Sequence, residues 1–176
     1  MNRRQWFGIL GIGLFALIVG IVSSQWVFKK SEAIPDPAVT LFLENDWQTP
    51  EGKPINTKHW QGKILVVNFW GSWCPPCVEE MPTLEKLQQE FFQQNVLFIG
   101  IGIDSPSNIR DFLLKTPVSY PIANGGVQGS AMYRALGDTQ AALPYTVVID
   151  ANGKIKSTRL GKIQEDDLRR AIKEAI

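Results

Sequence analysis

The chain has 176 residues, 44% of them apolar and none in a low-complexity tract, which is enough material for one folded domain with a real core and too little for two. Four basic and no acidic residues fall in the first thirty positions, so the remainder carries 14 Lys and Arg against 17 Asp and Glu, a net of −3 that argues against nucleic acid as a partner. The only two cysteines, Cys74 and Cys77, lie three positions apart, which excludes a scaffold of structural disulfides and confines their chemistry to one site.

From Trp6 to Phe28 the chain is uncharged and mostly apolar, interrupted only by Ser23, Ser24 and Gln25 and flanked by Arg3, Arg4, Lys29 and Lys30. At about 1.5 Å per residue, a helix of this length crosses roughly 30 Å of hydrocarbon. Trp6 and Trp26 then fall near its two interfaces. Residues 1–30 read as a membrane anchor with its amino end in the cytoplasm, or as a signal peptide, since Val22-Ser23-Ser24 offers small residues for cleavage. Both readings export the remainder of the chain. No cysteine succeeds the apolar run, so lipid attachment there is excluded.

Residues 31–38 read as a linker stiffened by Pro35 and Pro37, and a folded domain is expected over 39–176. Thr40 to Leu43 is expected as a first short strand, with Glu44 to Lys63 as a hairpin and loop containing Pro50, Gly52, Pro54 and Gly62. The nearly continuous apolar run from Ile64 to Trp70 has the pattern of a central strand buried on both faces. Val78, Met81, Leu84, Leu87 and Phe91 place one apolar stripe on a helix from about Pro75 to Gln93. Val96 to Asp104 is the next buried strand. Ser105 and Pro106 supply an N-cap and a first-turn proline for a helix carrying Ile109, Phe112 and Leu113, which Pro117 ends. Next come a short strand near Tyr120 to Ala123, a turn at Gly125-Gly126 and a weak helix around Ala131 to Leu136. Tyr145 to Asp150 and Ile155 to Leu160 pair across Ala151-Asn152-Gly153, an Asn-Gly hairpin signal. The last helix carries Glu165, Asp166 and Asp167 in its first turn and Arg169, Arg170 and Lys173 later, the order the helix dipole favours.

The segment Trp70-Gly71-Ser72-Trp73-Cys74-Pro75-Pro76-Cys77 joins a buried strand to a helix start. Cys74 then lies at the helix N-terminus, where the positive end of the dipole favours a thiolate and makes it the attacking sulfur. Cys77, one turn later and facing inward, can resolve a mixed disulfide formed at Cys74. Pro75 and Pro76 are tolerated because first-turn residues have no intrahelical N–H partner to lose. The competing reading of a Cys-X-X-Cys pair, half a zinc site, needs two further ligands, and the chain offers no other cysteine and a single histidine, His59, in an expected loop.

The run from Val67 to Pro82, Val-Asn-Phe-Trp-Gly-Ser-Trp-Cys-Pro-Pro-Cys-Val-Glu-Glu-Met-Pro, resembles the thioredoxin superfamily, and within it the TlpA/ResA/CcmG-like membrane-anchored thiol-disulfide oxidoreductases. The resemblance extends from about Val39 to the carboxyl end. It implies an α/β thioredoxin-like fold with a mixed central sheet flanked by helices and a strand-helix insertion between about Ile101 and Gly137. Pro82 matches the family's helix-kinking proline. Leu143-Pro144-Tyr145-Thr146 resembles the cis-proline loop, which in the family lies beside the cysteines and pairs with the substrate backbone. Substrate contact is therefore expected at Trp73, Pro75, Pro76, Leu143 and Pro144, with Trp70 packed in the core. Where simple thioredoxins carry a buried aspartate, this chain has Asn68, which cannot take a proton from Cys77. Glu80, three residues past Cys77, shares its helix face, whereas Glu79 points nearly opposite. The ResA-like branch assigns a glutamate at this place to proton management.

By this resemblance the chain is expected to exchange disulfides using no cofactor beyond the Cys74–Cys77 pair. It implies a reductase of protein disulfides, for example apocytochrome c, re-reduced by a membrane electron donor of the CcdA/DsbD type. The expected location is the bacterial cytoplasmic membrane, single-pass, with the catalytic domain on the extracytoplasmic or periplasmic side. A disulfide oxidase or isomerase of the same fold is the alternative, and a redox-linked metal chaperone a more distant one. A copper chaperone of this fold wants three residues between its cysteines and a downstream histidine, and a peroxiredoxin wants Pro-x-x-x-Thr-x-x-Cys; neither pattern is present.

Overall fold

A nearly continuous apolar strand must be covered on both faces, and Ile64–Trp70 becomes β1, buried along its whole length. The structure, a computed structural model, describes residues 35–176. The anchor expected over 1–30 and the first part of the linker lie outside the described residues, and no helix among the described residues is long and apolar enough to cross a membrane.

Downstream of β1 come α2 (Pro75–Phe91), β2 (Val96–Gly102), α3 (Pro106–Lys115), β3 (Ile122–Asn124), α4 (Gly126–Ala135), β4 (Tyr145–Ile149), β5 (Ile155–Leu160) and α5 (Glu165–Ala175). The sheet order is β3-β2-β1-β4-β5, with β2 parallel to β1 and β3, and β4 antiparallel to β1 and β5. This is the mixed five-stranded sheet of a thioredoxin-like fold. The stretch from about Ile101 to Gly137, where the resemblance implied an insertion, holds α3, β3 and α4, and β3 extends the sheet beyond β2.

Alternation along β1 divides the core. Ile64, Val66 and Trp70 pack with residues of α2, α3 and α5 on one face, while Leu65, Val67 and Phe69 pack with α4 and the segment before β1 on the other. Exposed ion pairs, Lys162 with Glu79 and Lys86 with Glu165, both at 2.7 Å, together with Arg169 and Glu90 at 2.9 Å, register α5 and the turn before it against α2.

Three expected elements differ. Thr40 to Leu43 is not a strand; it lies within α1 (Pro37–Glu44). The residues Val-Thr-Leu-Phe-Leu favour extended structure by propensity, but Asp36 caps the segment by accepting from the Ala38 N–H at 2.8 Å, and Pro37 sets the first helical dihedral. The i, i+3 pair Val39 and Phe42 is buried, and Phe42 packs against Trp47 and Trp60 at ring distances of 5.5 and 5.6 Å. Packing of this short face outweighs propensity. Asp36→Ala should cost about 1 kcal/mol by loss of the cap, read as a lower urea midpoint at unchanged slope.

The turn and weak helix expected after Gly125 form one helix, α4, beginning at Gly126. The glycines permit close approach: a Cβ on Gly129 would lie 2.5 Å from Ile103 Cδ1. Between α1 and β1, the expected hairpin reduces to an isolated bridge between Gln48 and Pro54 and a 3-10 turn at Thr57–His59.

Candidate active site

Parallel pairing of β1 and β2 brings their carboxyl ends together, and the segment Gly71 to Trp73 leaves the sheet there. Strand β4 arrives from the opposite direction, with Tyr145 opposite Phe69. Pro144, one residue earlier, therefore lies beside the end of β1. It is buried, the Leu143–Pro144 peptide bond is cis, and the Pro144 carbonyl accepts from the Gly161 N–H at 2.8 Å. Leu143 packs against the apolar cluster that contains both cysteines.

Cys74 is the N-cap of α2, in extended conformation with no side-chain cap hydrogen bond, and Pro75 and Pro76 open the helix. Its sulfur is bonded to Cys77. Two prolines remove two of the free N–H donors of this helix end, and the N–H groups of Cys77 and Val78 donate to the Cys74 carbonyl at 3.0 and 3.2 Å. The dipole, more than free donors, is what this end offers a thiolate. Cys74 is 4% exposed and Cys77 fully buried, so the first cysteine alone meets the surface. Pro75 is exposed and Pro76 half-buried. Trp73 is 64% exposed, whereas Trp70 is fully buried against Phe112 at a ring distance of 5.1 Å.

Helix phase separates the two glutamates as expected. Glu79 faces solvent and pairs with Lys162, while Glu80 is fully buried. The helix runs on through Pro82. Asn68 Nδ2 donates to Glu80 Oε1 at 2.7 Å and to Thr146 Oγ1 at 3.0 Å, and the Ile163 N–H donates to Glu80 Oε2 at 2.8 Å. Burial pushes the Glu80 carboxyl up from 4.5 to about 6, against the opposing pull of the Ile163 and Asn68 hydrogen bonds and the Lys162 charge. A group so placed is ionised at neutral pH yet close to accepting a proton.

Asn68 thus has a part beyond the lack of an acid: it holds the carboxylate and links it to β4. Thr146 and Ile163 were not singled out from sequence, and neither was Asp104, which accepts from Ser72. The available signal was a polar residue in the middle of an apolar strand. His59 lies exposed in the 3-10 turn, its Nε2 3.3 Å from Asn56 Nδ2, apart from the cysteine cluster.

A family model described as Redoxin matches residues 29–174. The thiol-disulfide oxidoreductase ResA of Halalkalibacterium halodurans is 28% identical over 167 residues, covering 93% of this chain and 90% of its own length. Among solved structures, a thioredoxin-related protein from Neisseria meningitidis serogroup B is 33% identical with a TM-score of 0.65, covering 73% of this chain and 97% of that one. A thiol:disulfide interchange protein of the thioredoxin family from Chlorobium tepidum TLS is 27% identical with a TM-score of 0.65, covering 73% and 90%.

Proposed function

Since the chain belongs to the Redoxin family and is a ResA-like thiol-disulfide oxidoreductase, we propose that it works as an extracytoplasmic reductase of protein disulfides, tethered to a bacterial cytoplasmic membrane by residues 1–30. The observation that carries the reading is the Cys74–Cys77 bridge at a strand-to-helix junction, with an interior carboxylate on the same helix.

In the reduced protein the Cys74 thiolate attacks a client disulfide, forming a mixed disulfide and expelling one client thiolate. Cys77 then gives its proton to the Glu80 carboxylate and attacks the Cys74 sulfur. The Cys74–Cys77 bond closes, the second client thiolate leaves, and two electrons have passed to the client. Trp73, Pro75, Pro76 and Leu143 form the surface on which an extended client segment lies, by addition of backbone beside the loop that the buried cis Pro144 shapes. Reduced apocytochrome c, with its haem-attachment cysteines free, is the product envisaged, and a membrane relay of the CcdA/DsbD type restores the dithiol.

Direction rests on the reduction potential. Equilibration with a glutathione or dithiothreitol redox buffer should give a value nearer the about −270 mV of thioredoxin than the about −120 mV of a strong oxidant. A value at the oxidising end assigns the chain to disulfide formation instead.

A further inference from the structure

The chain from Trp70 to Trp73 is fastened at Trp70, Ser72 and Trp73 to the loop that leaves the end of β2. The Ile103 N–H donates to the Trp70 carbonyl at 2.7 Å, and the Trp73 indole N–H donates to the Ile103 carbonyl at 3.1 Å. Ser72 sends both its N–H and its hydroxyl to Asp104 Oδ2, at 3.3 and 2.5 Å. The other oxygen, Oδ1, accepts from Ser105 N–H and Asn108 Nδ2, each at 2.7 Å, so the first turn of α3 holds the carboxylate in place. Partial burial raises the Asp104 carboxyl, but the hydrogen bonds from Ser72, Asn108 and Ser105 outweigh it and keep the group below its ordinary range, hence ionised. Gly71 completes the arrangement: a Cβ there would stand 2.8 Å from the Trp73 Nε1, so the indole lies over the one position without a side chain.

A large ring that is 64% exposed gains little from the fold, yet this one is held by a hydrogen bond, by a glycine beneath it and by the anchored residue before it. An apolar platform fixed in advance loses no freedom when a partner covers it. We propose that Asp104 is a positioning residue for client recognition: through Ser72 it fixes the loop that presents Trp73, making the indole a preformed apolar seat for a protein segment approaching Cys74. This rests on the reading of the chain as an oxidoreductase of protein disulfides. The carboxylate acts through the loop and takes no part in the sulfur chemistry.

The test compares two disulfides with the reduced full-length chain in detergent: a peptide bearing a Cys-x-x-Cys-His disulfide, and 5,5′-dithiobis(2-nitrobenzoate), which is too small to need the platform. Asp104→Ala should raise KM for the peptide about tenfold, the worth of one hydrogen bond to a charged group, with a several-fold smaller loss for the small disulfide. Asp104→Asn, which keeps one acceptor oxygen, should recover part of the loss, and Ser72→Ala should repeat it in milder form. In a Trp73→Ala background, Asp104→Ala should add almost nothing to KM. Equal losses for both disulfides, no loss for either, or full additivity with Trp73→Ala would overturn the proposal. Should Asp104→Ala fail to fold, Ser72→Ala decides by the same comparison. Failure of the unsubstituted chain to exchange with either disulfide would instead sink the oxidoreductase reading itself.

Discussion

Cys77→Ala is expected to leave the protein covalently joined to its clients, whereas Cys74→Ala is expected to join nothing. The asymmetry comes from position on α2. Cys74 caps the helix, keeps 4% of its surface exposed where Cys77 keeps none, and sits at the positive end of the dipole. Cys77 is fully buried one turn later and can reach a sulfur only at Cys74. Without Cys77 the first exchange proceeds, the second cannot, and the mixed disulfide persists. Turnover in either variant should fall by at least about 10³-fold, since the two sulfurs act as a unit. Non-reducing electrophoresis of native membranes expressing each variant, with mass spectrometry of the shifted bands, reads the outcome. Adducts formed by Cys74→Ala and not by Cys77→Ala would reverse the assigned roles, and adducts with neither would remove the reductase mechanism.

Glu80→Gln is expected to abolish a pH dependence visible in both stability and rate. The folded carboxyl titrates at about 6 against 4.5 when free, because burial disfavours the charge. Between these values the folded chain binds more proton than the unfolded one. The group's contribution to stability is therefore fully present below pH 4.5 and lost as the pH rises through 6, by about 2 kcal/mol at 1.36 kcal/mol per unit. Urea unfolding of the oxidised protein at pH 4.5 and pH 7.5 should show wild type losing that amount relative to Glu80→Gln. Glutamine is well chosen for the site. Its oxygen can still accept from Ile163, and Asn68, whose Oδ1 is buried without a partner, can turn to accept from the new amide. For exchange, loss of the proton acceptor behind Cys77 should slow the resolving step on the order of 10²-fold and erase the inflection near pH 6. A rate profile unchanged by the substitution would remove Glu80 from the mechanism.

How far this site could be read beforehand depended on the range over which each residue acts. The apolar run Ile64 to Trp70, the cysteine spacing and the helix phase that buries Glu80 rather than Glu79 are local patterns, and each is realised within a few residues. The partners of Glu80 are not local: Asn68 is twelve positions away, Ile163 eighty-three, and Thr146 meets Asn68 across seventy-eight. No periodicity announces which backbone N–H will face a carboxylate from another element. Asp104 and Ser72, thirty-two apart, meet only because β1 and β2 run parallel and end together. At α1 and α4 the error was of a different kind. Thr40 to Leu43 carries extended propensity and Gly125-Gly126 turn propensity, and in both the gain from burying a face against distant residues prevails.

The position of β1 between β2 and β4 also bears on how the protein opens. A strand bonded on both sides and covered on both faces exposes its amides only when the whole domain unfolds, so its N–H groups belong to the slowest-exchanging class. Asn68 projects from that strand, and the loop bearing Trp73 hangs from its end. Each catalytic cycle, with its passage between bridged and dithiol forms, is thereby carried on the last part of the described fold to come apart, and protection from deuterium at Val66, Val67 and Asn68 should outlast that of α1.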